Sequence, residues 1–285
     1  MTIVKHYRND ETLRRSFCRL AEETFGIDFE SWYRKGFWTD CYDPYSVLMD
    51  GEIVANVSVN QTDMMVGGTR KKLIQLGTVM TKPEYRNRGL IRVIMEEIRE
   101  DWGSRDMYLF ANDSVVDFYP KFGFRPGVES CWTRELDRTA PCGMERVNMD
   151  GPEGWALLQK AMEQGEPHNA CAMANNPGLI LFYITGFMQD SVYRSADGKA
   201  WAIAEIEDGE LMLHNVFCGA EISLDRVIQS FGPEIRRVKL GFTPGNTDGW
   251  VRENLREEDC HFFVRGSFFE EFEHKMLRIP KLSHA

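Results

Sequence analysis

One stretch constrains the fold of this chain more than any other: Val79-Met80-Thr81-Lys82-Pro83-Glu84-Tyr85-Arg86-Asn87-Arg88-Gly89-Leu90-Ile91-Arg92. The mostly apolar run over residues 73–80 leads into it and reads as a buried strand. Leu90, Ile94, Ile98 and Trp102 recur at a spacing of four after it, with Ile91, Val93 and Met95 on the same side, which predicts a helix. Between strand and helix lies a turn with three arginines and one glycine. The first N–H groups of a helix have no partner inside it and point at whatever stands in front. A glycine there lets a phosphate approach the backbone closely. Arg86, Arg88 and Arg92 add full positive charge, which is disfavoured near a helix N-terminus unless an anion compensates. The physical reading is a strand, turn and helix that bind a pyrophosphate. The plain alternative is a solvated, charged first turn.

The turn lacks the Gly-Lys-Ser/Thr ending of a P-loop. It also has one glycine where the dinucleotide fingerprint needs three. It resembles the pyrophosphate motif of the GNAT superfamily of N-acetyltransferases, Arg/Gln-x-x-Gly-x-Gly/Ala after a strand and a Pro-x-x-Arg turn. Arg86 and Gly89 match, and Ile91 replaces the last small residue. The run Arg86-Asn87-Arg88-Gly89-Leu90-Ile91-Arg92 is similar to the Arg-x-x-Gly-Leu-Leu-Arg of the enhanced intracellular survival acetyltransferases. A second motif, Phe118-Tyr119-Pro120-Lys121-Phe122-Gly123-Phe124, resembles the Phe-Tyr-x-x-x-Gly-Phe signature of the same superfamily. It follows a short apolar strand candidate at residues 107–110.

The resemblance implies an α/β fold with a mixed sheet, in which two adjacent parallel strands splay apart around the acyl-CoA arm. It implies acetyl-CoA as co-substrate, held by the backbone of Val79, Met80 and Thr81 and by Arg86, Asn87, Arg88, Gly89, Leu90, Ile91 and Arg92. Acyl transfer to an amine needs a neutral amine, a polarised carbonyl and a proton for the leaving thiolate. A backbone N–H between Val79 and Thr81 would polarise the carbonyl. Tyr119 would protonate the thiolate, as a phenol of pKa about 10 facing a thiol of about 8.5. Asp28, Asp113 and Glu129 are candidate bases, although a solvated surface acid is the commoner role for each. The C-terminal carboxylate of Ala285 is another, because that of the enhanced intracellular survival proteins enters the active site. The tail over residues 277–285 alternates apolar residues and is patterned well enough to dock. Asp28, Trp32, Phe37 and Trp38 are candidates for the amine pocket, since aromatic faces attract cations; core and lid is the competing role for the aromatics.

Residues 139–143 mark a boundary between a catalytic domain, 1–138, and a second domain, 139–285. The second half reads as a weak repeat of the first. Tyr33-Arg34-Lys35-Gly36-Phe37 followed by Asp50-Gly51 recurs as Tyr183-Ile184-Thr185-Gly186-Phe187 followed by Asp197-Gly198. Residues 210–217 correspond to the strand before the phosphate turn, but the segment after them, 218–225, holds two acids and no arginine. The expectation is a degenerate GNAT-like half that binds no CoA. In the first half, strands are expected at 3–7, 57–66, 71–80 and 107–110, with a hairpin around an Asp-Gly turn at 47–55, and a last strand near 130–136 completes its sheet. The enhanced intracellular survival proteins add a third domain, for which 285 residues leave little room.

The formal charge is −10, and it is uneven. Residues 1–140 hold 20 basic and 22 acidic residues, while 141–285 hold 14 and 22. A polyanionic cofactor is therefore expected in the first half, a cationic amine is attracted, and nucleic acid is disfavoured. No apolar run reaches the roughly 18 residues that a spanning helix needs, and the first residues lack the apolar region of a secretory signal. Seven scattered cysteines without a Cys-x-x-Cys pair point to reduced thiols in the cytoplasm, and neither to a zinc site nor to a disulfide framework. The expected function is acetyl-CoA-dependent N-acetylation of a small-molecule or peptide amine, with a homo-oligomer left open. The competing class is an acyl-CoA-binding regulatory module that has lost turnover.

Overall fold

The computed structural model describes residues 1–137, 142–166 and 168–285. Two mixed sheets carry the chain. The first runs Thr2–Val4, Tyr42–Met49, Glu52–Val66, Thr69–Thr81, Asp106–Ala111, His261–Arg265 and Arg125–Pro126, with Cys171–Met173 beside Glu52–Val66. The second runs Met144–Arg146, Val192–Ser195, Ala200–Glu207, Glu210–Cys218, Arg237–Leu240, Ser130–Glu135 and Val251–Asn254. Each sheet has its parallel pair at the same place in the order: Thr69–Thr81 with Asp106–Ala111, and Glu210–Cys218 with Arg237–Leu240. The second sheet thus repeats the strand order of the first, as the weak sequence repeat suggests.

The strand Ser130–Glu135 does not complete the first sheet. It pairs with Arg237–Leu240 and Val251–Asn254 in the second. Its place in the first sheet is taken by His261–Arg265, which comes from near the chain's end and pairs with Asp106–Ala111 and Arg125–Pro126. The two sheets exchange one strand each. Residues 130–135 have the period of a strand, but a period does not say which edge a strand will join. The boundary expected at 139–143 falls in part on residues 138–141, which lie outside the described residues.

Local chemistry explains the elements that position the site. Asp50-Gly51 supplies two left-handed residues, φ 51° and 82°, so Tyr42–Met49 and Glu52–Val66 close as a tight hairpin. In Thr69–Thr81, Ile74 and Leu76 point to one face, and Met107 and Leu109 join them from the neighbouring strand. They pack with Leu90, Ile94, Met95 and Ile98 of the helix Leu90–Trp102. Gln75 and Gly77 belong to the other face, where Gln75 is level with Tyr108. That face is covered by the C-terminal segment and by the helix Phe268–His274. A second core joins the aromatic residues near the N-terminus to the helix Pro177–Gly186. Among the described residues no helix is long and apolar enough to cross a membrane.

Candidate active site at the strand divergence

The parallel pair is in register only from Leu73 opposite Asp106 to Leu76 opposite Leu109. Beyond that point the strands part, while Thr69–Thr81 stays paired with Glu52–Val66 through Thr81 opposite Ala55. Among the described residues the backbone edge from Gly77 to Thr81 that faces away from Glu52–Val66 therefore has no strand partner. A bulge causes the divergence. The ladder shifts register between Asn56 and Ser58, and Thr78 opposite the shift has φ 47°. Such a conformation is costly for a β-branched residue and needs surrounding support. The Tyr42 hydroxyl lies 2.6 Å from Thr78 Oγ1, and the Asn56 amide donates to the Thr78 carbonyl at 2.9 Å.

The turn that follows presents what an anion needs. Pro83–Tyr85 forms a short 3₁₀ turn, and Gly89 sits in the left-handed region, φ 75°, just before the helix Leu90–Trp102. No side chain caps this helix. Among the described residues no side chain accepts from the first N–H groups of this helix, those of Leu90, Ile91 and Arg92. Arg86, Asn87, Arg88 and Arg92 are all exposed. Arg86 donates to the Thr81 carbonyl at 3.3 Å, and Arg88 donates to the Glu84 carbonyl at 2.8 Å and lies over the Tyr85 ring. Among the described residues no carboxylate pairs with Arg86, Arg88 or Arg92. Three uncompensated cations at an uncapped helix N-terminus fit a pyrophosphate.

Tyr119 is 4% exposed and packs in the same core as Leu76, Leu90 and Leu109, with its ring 5.9 Å from that of Phe263. Burial pushes its hydroxyl up to about 12. That hydroxyl makes no hydrogen bond to any described residue.

The chain's last residues end at the divergence. Leu277, Arg278, Ile279, Leu282, Ser283 and His284 are all buried. The segment is bonded on both sides: Lys281 N–H donates to the Gly241 carbonyl and Arg278 N–H to Thr243 Oγ1, while Glu129 Oε1 accepts from Ile279 N–H at 2.7 Å. His284 stacks on Phe110 with centroids 3.7 Å apart. With its amide oriented to satisfy both partners, Gln75 donates to the Ser283 carbonyl at 2.8 Å and accepts from the Ala285 N–H at 2.6 Å. Ala285 then lies against Gly77. A Cβ on Gly77 would stand 2.5 Å from the terminal carbonyl carbon, so only glycine leaves room.

The other candidates fall elsewhere. Asp28 is exposed and caps the helix Phe29–Arg34, accepting from Glu30 N–H, Ser31 N–H and the Ser31 hydroxyl. Partial burial pushes its carboxyl up, but those bonds outweigh it and hold it below the usual range. Asp113 is a surface residue paired with His261. Trp32, Phe37 and Trp38 are buried core: Trp32 stacks on Trp38 at 5.5 Å and its indole donates to the Gly178 carbonyl. They support the site from behind, through Tyr42 and its contact with Thr78. Glu129 is buried and holds the C-terminal segment. Burial pushes its carboxyl up to about 7, against the pull of Arg278 and the Ile279 N–H. Sequence reasoning missed Gln75 and Gly77. A glycine inside an apolar strand is a signal of close backbone approach.

Residues 7–127 match the acetyltransferase (GNAT) domain family. No curated protein matches the sequence. Among solved structures, the chain is similar to a conserved protein of unknown function from Enterococcus faecalis V583, described as a probable N-acyltransferase. The TM-score is 0.60 at 16% identity, over 95% of this chain and 74% of that one. It is also similar to Eis1 from Mycobacterium abscessus, with a TM-score of 0.52 at 13% identity over 92% and 73% of the chains. A GCN5-related N-acetyltransferase from Anabaena variabilis gives 0.52 at 16% identity over 93% and 72%. At these identities the likeness concerns the fold.

Proposed function

We propose that this chain, which carries a GNAT acetyltransferase domain over residues 7–127, transfers an acetyl group from acetyl-CoA to a primary amine in the cytosol. The observation that carries the reading is the parting of two parallel strands after Leu76, directly before an uncapped helix with three unpaired arginines. Arg86, Arg88, Arg92 and the first N–H groups of the helix would hold the pyrophosphate. The open backbone edge from Gly77 to Thr81 would receive the pantetheine arm and polarise the acyl carbonyl. Bound acetyl-CoA supplies an activated thioester. Seven free cysteines fit a reducing compartment.

Two groups of the chain move protons in this scheme. Tyr119 gives its hydroxyl proton to the departing thiolate. In a chain that ends at Ala285, the terminal carboxylate beside Gly77 takes a proton from the incoming ammonium, directly or through water, and attracts its charge. Glu129 and Gln75 hold that terminus in place. A second reading is an acyl-CoA-binding module without turnover. It is favoured by the Tyr119 hydroxyl, which at about 12 is a weak acid toward a thiolate of about 8.5.

Two measurements test the proposal. Acetyl-CoA should raise the melting temperature, because it binds the native state alone, and Arg86→Glu with Arg88→Glu should abolish the rise. A parental response in that double variant sinks the assignment of the turn. Thiol release with a panel of amines then separates the readings: turnover supports the enzyme, and CoA binding with no release supports the module.

A further inference from the structure

Beside the C-terminal segment lies a cavity of about 490 Å³, within the range of small-molecule sites. It is lined by the helices Pro152–Gln164 and Pro177–Gly186, the strand Cys171–Met173 and the strand Glu210–Cys218, and is partly open to solvent. Met162, Met173, Ile180, Leu181 and Phe217 make its walls apolar. Among the described residues no lysine, arginine or histidine lines it, whereas Glu163 and Glu166 do, both exposed and without an ion-pair partner. Asn169 adds a buried Oδ1 with no hydrogen-bond partner. Ser283 is part of the wall, and Ala285, two residues on, touches Gly77. Two extended residues span at most about 7 Å, so the Ser283 wall of the cavity lies close to the strand divergence.

We infer that this cavity binds the body of the acetyl acceptor, and that the acceptor is a primary amine carried on an apolar alkyl or aralkyl group. The inference rests on the acetyltransferase reading for the fate of the amine, but not for its binding. The apolar walls take the hydrocarbon, and the two methionines, unbranched and polarizable, adapt to its shape. Glu163 and Glu166, exposed at the rim, attract the cation as it enters. The amino end then projects past Ser283 towards Ala285 and Gly77. A hydrophilic polyamine or a lysine side chain on a peptide leaves the walls unfilled and binds less well.

The test is equilibrium binding of n-alkylamines, butyl to heptyl, to the full chain saturated with CoA, where no acyl group is present to react. Each methylene buried in an apolar site strengthens binding roughly fourfold, so affinity should climb by about that factor per carbon until the cavity is full. Met162→Trp narrows the apolar space and should lessen the slope of the series, while the stabilisation by CoA stays parental. Glu163→Gln with Glu166→Gln, a surface change that spares the fold, should weaken all the amines alike and reduce the salt dependence of binding. A flat series in the parent overturns the inference. So does an unchanged slope in Met162→Trp, or tighter binding of a lysine peptide than of heptylamine. A steep series in a protein that releases no thiol from acetyl-CoA leaves this inference standing and removes the enzymatic reading alone.

Discussion

At the scale of single residues, two buried groups have opposite uses for a proton. Glu129 accepts the Ile279 N–H in a dry site, and burial raises its carboxyl from 4.5 to about 7. A carboxyl raised in the folded state contributes stability that is full below about pH 4.5 and is lost as pH rises through about 7. The gap is worth about 3 kcal/mol. Glu129→Gln keeps an acceptor for Ile279 and cannot ionise. Its melting temperature should therefore gain on the parent between pH 5 and 8, by several degrees in all; parallel curves would remove Glu129 from the account of the C-terminal segment. His284, also buried, is held well below its usual range by desolvation, so its own contribution is lost on the acid side. The comparison of parent with variant isolates Glu129 from it. Tyr119 is different, because its hydroxyl has no bond within the described protein. Tyr119→Phe should leave the melting temperature and CoA affinity near parental values and lower turnover roughly a hundredfold. Near-parental turnover would reduce Tyr119 to a packing residue.

At the scale of elements, the strand Thr69–Thr81 does three things in thirteen residues. Its apolar face holds the helix Leu90–Trp102, its bulge at Thr78 parts the parallel pair, and Gly77 seats Ala285. Gly77→Ala changes the last of these directly, since the new methyl would occupy the place of the terminal carboxyl group. The C-terminal segment should leave the divergence, with a loss of roughly 1–3 kcal/mol as Leu282 and His284 lose their burial. Turnover should fall at least tenfold while CoA still stabilises the protein. An active Gly77→Ala variant would mean that the docked terminus has no part in the chemistry. The turn itself was legible in the sequence because its signals are local: Pro83, Arg86 and Gly89 lie between an apolar run and a four-residue period. The docked terminus was legible only as a patterned tail. Its partners Gln75 and Gly77 lie some two hundred residues away, and no spacing connects them. Trp32, Phe37 and Trp38 attracted attention as a possible amine pocket because aromatic rings serve cores and cation sites equally well. Only their burial, Trp32 against Phe182 and Trp38, and Phe37 against Trp155, separates the two roles.

At the scale of the whole molecule, the exchange of strands makes each sheet depend on the other half of the chain. Ser130–Glu135 sits between two strands of the second sheet, and His261–Arg265 sits between two strands of the first. Counting elements along the sequence suggests a cut near residue 138, because a strand at 130–136 supplies the number the first sheet needs. Pairing partners, however, are chosen by edges that form only after folding. A fragment ending at residue 138 would lack His261–Arg265. The strand Asp106–Ala111 would become an open edge, with Tyr108 and Phe110 stripped of Phe262, Phe269 and His284. An exposed apolar edge of that kind templates aggregation. The fragment should thus be insoluble or unfolded and show no stabilisation by CoA, although it contains the whole phosphate turn. The two fragments produced together should recover a soluble complex with that response, and the intact chain should melt in a single calorimetric transition. If residues 1–138 fold alone as a monomer stabilised by CoA, the exchanged strand is dispensable, and the first half is a domain in its own right.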